Sequence, residues 1–183
     1  MCCNSSRALA LFSNNYDIYM QVIYERIAYD TNPSAQQANA LYRWVKDFSP
    51  EDIEFLLNQP YTITVTSYNV VVVHAGLVPG VSLDCQQPVD MMTMRGVVKD
   101  LDGSYSGTMT KAFGLWAASW HGPQHVYFGH NAACGLQQHP FATGLDTGCV
   151  YGRELTGAMI SSPNQQPVLY SVTAKQVYRV PDK

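Results

Sequence analysis

The apolar pattern of this chain changes its period near residue 60. Before that point apolar positions recur at helical spacing. Residues 17–29 (DIYMQVIYERIAY) carry Ile18, Val22, Ile23 and Ile27 on one side, and residues 34–47 (SAQQANALYRWVKD) carry Ala38, Leu41, Tyr42 and Val45, so each segment predicts a helix. A third, shorter helix is predicted by FSPEDIEFLLNQP. Ser49 is its N-cap, Pro50 takes the first helical position, Asp52 stands three residues after the cap, and Pro60 bounds the segment. From Tyr61 onward the pattern is that of strands. YTITVTS alternates and is β-branched, whereas NVVVV is uninterrupted, which predicts two strands joined near Ser67 and Tyr68, the second buried on both faces.

Residues 79–111 are rich in Gly, Ser, Asp and Met and predict loop with one short helix around Val89 to Val97. Phe113, Trp116 and Trp120 then fall at helical spacing, and HVYFGH reads as a short strand. FATGLDTGCVYGRELTGAMI predicts paired strands with Gly-rich turns, and PVLYSVTAKQVYRV predicts two more. Helices come early and strands late, with no linker and no internal repeat, so the expectation is one mixed α/β (α+β) domain.

Composition narrows the function classes. At 183 residues the chain is long enough to bury a core, and a net charge of −3 with no long basic run excludes an electrostatic footprint for nucleic acid. No window approaches the ~20 apolar residues of a membrane-spanning helix, and the first residues lack the charged and long apolar regions of a signal peptide. The five cysteines are odd in number and lack paired C-x-x-C spacing, which fits reduced thiols in a cytoplasmic protein better than a disulfide framework or a zinc cluster.

Two segments share one design. YNVVVVHAGLVPGV ends an apolar strand in His74 and follows it with Ala75 and Gly76; HVYFGHNAACG ends another in His130, followed by small residues. Strand ends in α/β sheets are where sites are built, because the sheet fixes the side chain while loops open to solvent. Small residues after each histidine would let a metal or phosphate approach the backbone. Two neutral imidazoles suit a divalent transition metal; the competing reading is a pair of hydrogen-bonded histidines at a sheet end. His121, His125 and His139 lack this context and read as ordinary polar residues.

Three blocks, VVVHAGLVPGVSLDCQ, GPQHVYFGHNAACGLQ and PFATGLDTGCVYGRELTG, together with WVKDFSPEDIEFLLNQPYTI before them, resemble the calcineurin-like metallophosphoesterases. Within these, they are most similar to the ApaH-like, bis(5′-nucleosyl)-tetraphosphatase type, which is related to the serine/threonine protein phosphatases. The resemblance runs in order from about Trp44 to Val180. It implies a β-sandwich flanked by helices, N-terminally truncated. The chain would then be a single partial domain spanning 1–183, with a helical part at about 16–58 and a β-rich part at about 61–180. It also implies metal-dependent hydrolysis of phosphate esters or phosphoanhydrides by a metal-activated water, with Mn, Fe or Zn as the ion. His74 matches the histidine of the family's H-G/A-G motif and His130 that of its G-H motif, both metal ligands. Arg95, in MMTMRGVV, resembles the phosphate-clamping arginine. Tyr151, in CVYGREL, resembles the aromatic residue overlooking the site, whereas Asp146, in LDTG, reads as a turn or supporting residue. The implied substrate is a phosphorylated one: a phosphoprotein, a dinucleoside polyphosphate, polyphosphate or a capped RNA end.

The departures are as informative as the matches. The family's G-D-x-H-G and G-D-x-x-D-R-G motifs have no counterpart, since the chain contains no Gly-Asp dipeptide and no Asp followed two residues later by His. The G-N-H-D/E motif survives as a trace in FSNNYDIYM, which puts the ligand asparagine at Asn14 or Asn15 and the acid histidine at Asn15 or Tyr16. Neither replacement does general acid work well, asparagine having no titratable proton and tyrosine a pKa of about 10. After His130 the usual aspartate and basic residues are Asn131, Ala132 and Ala133, and Arg153 stands where the family has glycine. Two expectations therefore compete: part of a metallophosphatase, or a non-catalytic pseudophosphatase or interaction domain derived from one.

Overall fold

The computed structural model describes residues 47–163 and 165–180. The predicted helix at 17–29, all but the last residue of the one at 34–47, and Asn14 and Asn15 lie outside the described residues. The first described helix, α1 (Pro50–Leu57), begins where its cap predicts. The Asp52 amide donates to the Ser49 hydroxyl at 3.1 Å, and the Ser49 amide donates back to the Asp52 carboxylate at 2.9 Å. This reciprocal pair satisfies two amides that the first turn cannot. The same bonds from Ser49 hold the Asp52 carboxyl below the usual carboxylate range.

Strands β1 (Thr62–Val65) and β2 (Val70–Val73) pair antiparallel, Thr62 opposite Val73 and Val65 opposite Val70. A 3-10 turn at Thr66–Tyr68 joins them, closed by Asn69 in the left-handed region at φ 54°, which asparagine tolerates better than most residues. The chain then leaves the sheet for a long excursion. It forms α2 (Pro88–Thr93), a hairpin of β3 (Gly96–Lys99) and β4 (Tyr105–Thr108), and a 3-10 turn at Trp116–Ser119. It returns as β5 (His125–Phe128), parallel to β2, and finishes the sheet with β6 (Gln137–His139) and β7 (Ala142–Gly144). The order is β1-β2-β5-β7-β6, with parallel pairs at the centre and antiparallel pairs at both ends. A separate antiparallel hairpin follows, β8 (Glu154–Met159) and β9 (Val168–Thr173).

Several expectations need correction. The region at 79–111 holds a hairpin besides its short helix, and that helix ends at Thr93 instead of continuing to Val97. Phe113, Trp116 and Trp120 do not form a helical face: Gly114 takes φ 128°, which ends any helix there, and Phe113 is exposed while both tryptophans are buried. The strands within 141–160 pair with other partners, β7 with β5 and β6, and β8 with β9. The last segment contributes one strand, not two.

The core lies on one face of the five-stranded sheet. Val71, Val73, Val126, Phe128 and Ala142 share that face by register, and Leu77, Met91, Met94, Trp116 and Trp120 from the excursion pack onto it. The opposite face carries Val70, Val72, His125, Tyr127 and Thr143 by alternation. Among the described residues no helix is long and apolar enough to cross a membrane, and Cys85, Cys134 and Cys149 are free thiols.

Candidate metal centre at two strand tips

β2 and β5 are parallel neighbours, so both deliver the residue after their last position to the same edge of the sheet. The Gly129 amide donates to the His74 carbonyl at 2.8 Å, which locks the two tips together. His74 Nε2 and His130 Nδ1 stand 3.2 Å apart with the rings edge to face. His130 takes φ 67°, an uncommon backbone state for a non-glycine residue that turns its ring toward His74 instead of continuing the strand.

The small residues after His74 also have a packing role that the sequence does not reveal. A Cβ on Gly76 would lie 2.6 Å from Trp116 Nε1 and 2.7 Å from Met94 Cε. Ala75 is buried, its amide donates to the Met91 carbonyl at 2.8 Å, and its own carbonyl accepts from Trp116 Nε1 at 3.1 Å. Ala75 and Gly76 are small because the core tryptophan packs against them, and this packing fixes the strand tip from behind.

Both imidazoles have their pKa lowered by burial. Burial pushes the His74 pKa down, opposed by the negative charge of Asp146. Burial, then the charges of His74 and Arg95, push His130 down to about 4, while the Thr93 carbonyl acts weakly in the other direction. His130 Nε2 is fully buried and has no hydrogen-bond partner. The orphaned Nε2 is not the nitrogen that faces His74, which is Nδ1; a metal-ligating imidazole is neutral and presents the lone pair of its ligating nitrogen. The spacing agrees: at zinc–imidazole bonds of ~2.0–2.1 Å, two nitrogens on one tetrahedral ion stand roughly 3.3 Å apart. The pair therefore fits one divalent ion held by His74 Nε2 and His130 Nδ1. Among the described residues no group of three or more His, Cys, Asp or Glu that could hold a metal occurs.

A cleft of about 400 Å³ opens beside the pair, lined among others by Val72, Tyr127, Asp146, Cys149, Tyr151 and Leu155. Tyr151 reaches it from a 3-10 turn at Cys149–Tyr151, flanked by Gly148 and Gly152, both in the left-handed region. Arg95 follows α2; its amide donates to Thr108 and its Nη1 to the Met109 carbonyl at 3.3 Å. It is near enough for its charge to depress the His130 pKa. Asp146 accepts the Gly148 amide at 3.1 Å and so closes the turn beneath the cleft. Arg153 was visible in the sequence only as a departure. Its Nη2 donates to the Ala132 carbonyl, bracing the loop that follows His130 against the Gly148 turn. His125 bonds Thr143 on the other sheet face, with Nε2 to Oγ1 at 2.8 Å, away from the pair.

No protein-family profile matches the chain. It is 24% identical over 123 residues to the asymmetrical bis(5′-nucleosyl)-tetraphosphatase PrpE of Oceanobacillus iheyensis, a match covering 64% of this chain and 48% of that protein. It also superposes on a crystal structure provisionally described as a diadenosine tetraphosphatase, with a TM-score of 0.65 and 28% identity over 86% of this chain and 66% of the other. Both likenesses support an ApaH-like metallophosphoesterase relationship, at low identity. The chain spans about half the length of the curated relative it matches. The mixed α/β arrangement is similar to that of the solved structure.

Proposed function

We propose that this chain is part of a metal-dependent phosphoesterase domain that cleaves phosphate esters or phosphoanhydrides. The observation that carries the reading is the pair of imidazoles, His74 Nε2 and His130 Nδ1 at 3.2 Å, on adjacent parallel strand tips. His74 Nε2 and His130 Nδ1 hold the ion, and Asn14 or Asn15 supplies a further ligand. A bound Mn, Fe or Zn ion there supplies Lewis-acid stabilisation of a phosphate oxygen and activation of water. Arg95 binds the phosphate through guanidinium N–H groups left free by Met109, and Tyr151 forms the wall of the cleft that orients the ester. Glu154 and Leu155, at the start of β8, line the cleft together with Val72 of β2 and Tyr127 of β5, and we read the chain as one partial domain over 1–183 of a two-sheet architecture. The similarity to tetraphosphatases favours a dinucleoside polyphosphate among the phosphorylated substrates.

A second reading, a non-catalytic domain derived from the same family, is favoured by one observation. The sequence offers no Gly-Asp dipeptide to supply the bridging carboxylate, and without it two cations are not held together. The two readings separate in one experiment. The chain is expressed, bound Mn, Fe and Zn are quantified, and release of phosphate from a generic phosphomonoester and from diadenosine tetraphosphate is followed. Metal-dependent turnover that disappears in His74→Ala supports the enzyme; metal-loaded chain with no turnover on either substrate supports the non-catalytic domain.

A further inference from the structure

Two turns contribute to the cleft at the strand tips. One, Ala132–Cys134, follows His130 and is closed by the Cys134 amide donating to the Asn131 carbonyl at 2.9 Å and the Gly135 amide to the Ala132 carbonyl at 3.1 Å. The other, Cys149–Tyr151, is closed by the Tyr151 amide donating to the Gly148 carbonyl at 3.0 Å. Ala132 lines the cleft from the first turn, and Cys149, Val150 and Tyr151 line it from the second. Among the described residues one hydrogen bond joins the two turns, from Arg153 Nη2 to the Ala132 carbonyl. The place is shaped for a guanidinium. A Cβ on Gly148 would stand 2.6 Å from Arg153 Cζ, so glycine is what lets the planar group cross the turn. The Arg153 backbone is anchored behind it: its amide donates to the Gly148 carbonyl at 3.2 Å, and its carbonyl accepts the amide of Ala174, the residue after β9, at 2.8 Å. The Val150 carbonyl accepts the Tyr178 and Arg179 amides at 3.0 and 2.9 Å. Backbone bonds thus tie the second turn to the hairpin and the segment after it, and one side chain ties the first turn to the second.

We propose that Arg153 is a positioning residue for the candidate centre: it braces the loop after His130 against the turn that carries Tyr151, and so fixes how the two sides of the cleft face each other. Its consequence for ion binding rests on the metal-centre reading; the brace itself does not. His130 holds an uncommon backbone state at φ 67°, and the chain runs from it through Asn131 directly into the braced turn. A turn free to swing would let the ring rotate away from His74, whereas a pinned Ala132 carbonyl keeps Nδ1 facing Nε2. Arg153 is exposed, so it acts through this bond and not through burial of its own surface. Arginine suits the task better than lysine, because its planar fork is pre-organised and loses less freedom for each bond formed.

The test follows the free thiols of the two braced turns, Cys134 and Cys149, both partly buried, with the exposed Cys85 as an internal control. Alkylation of the full metal-free chain by iodoacetamide is timed at each cysteine by peptide mass spectrometry. Arg153→Ala should speed the reaction of Cys134 and Cys149 by ~5-fold, the local opening expected on losing one hydrogen bond, and leave Cys85 unchanged. Millimolar guanidinium should restore the protection, and sodium chloride at equal concentration should not. Calorimetric titration with Zn²⁺ should show ~3–10-fold weaker binding in Arg153→Ala, less than the loss of a partner bonded to the ligand itself, because Arg153 acts from further out. Unchanged thiol rates, or rates that rise equally at all three cysteines, would overturn the brace. Faster labelling of Cys134 and Cys149 with unchanged Zn²⁺ affinity would overturn the positioning role. Protection lost in Arg153→Ala and regained with guanidinium, in a chain that binds no Zn²⁺, would keep the brace and remove the metal-centre reading.

Discussion

The central pair β2–β5 and the hairpin β8–β9 are built from similar residues and sorted in opposite ways. In the central pair, alternation places Val71 and Val126 fully out of solvent, at 0% exposure each, against the tryptophans of the excursion. In the hairpin, register puts Leu155 opposite Val172 and Met159 opposite Val168, with Tyr170 between them on the same face, and this apolar face is exposed: Leu155 at 65% and Val172 at 69%. Its other face holds a chain of hydroxyls, Thr147 to Thr156 at 2.8 Å and Thr156 to Ser171 at 2.7 Å. The central pair is held by burial of apolar area, the hairpin by its ladder and hydroxyl bonds. Burial is the stronger and stiffer constraint, and it is the central pair that aims both histidines.

The largest expected effect breaks the central side of this comparison. Trp116→Ala removes the side chain that packs on Gly76 and leaves the Ala75 carbonyl without its donor. It should cost ~3–5 kcal/mol in urea unfolding, by the usual cost of emptying a buried aromatic site. Gly76→Ala attacks the same contact from the other side. Its Cβ collides with Trp116 and Met94, and a loss of ~1–3 kcal/mol is expected from overpacking.

Acid should act on the same region. His130 is depressed to about 4 in the folded chain, so between that value and the ordinary imidazole pKa of ~6.5 the unfolded chain binds more protons. Stability of the metal-free chain is then fully present above pH ~6.5 and falls as pH drops toward 4, by about 1–2 kcal/mol once the ring's partial exposure is discounted. A His130→Gln chain measured over the same range should show a flatter profile. The smallest effect belongs to the hairpin. Leu155→Thr and Val172→Thr should each change stability by less than ~0.5 kcal/mol, because neither side chain is buried. A loss of several kcal/mol at either position would mean that the apolar face is covered in solution.

What the sequence disclosed follows the same division. The Ser49 cap, β1, β2 and β5 were legible, because a capping box and a continuous β-branched run are local signals. The β3–β4 hairpin was not: GVVK and YSGT are too short and too mixed to show a period, and their pairing is fixed by packing on the excursion. Phe113, Trp116 and Trp120 misled for a related reason, since two of them are buried without any helix to space them. Within the candidate site, the histidines could be picked out as strand tips, but their 3.2 Å contact depends on β2 and β5 being parallel neighbours, a long-range fact. The packing of Ala75 and Gly76 against Trp116 was not legible because the tryptophan lies forty residues further along the chain.

The central claim is that His74 and His130 form one half of a metal centre. The most direct measurement is calorimetric titration of the metal-free chain with Zn²⁺, compared with His74→Ala and His130→Ala. The account predicts one ion per chain in the wild type and at least ~10-fold weaker binding in each variant, with the double variant no worse than the single ones by more than a small factor, since two ligands on one ion act as a unit. Unchanged Zn²⁺ affinity in both single variants would contradict it.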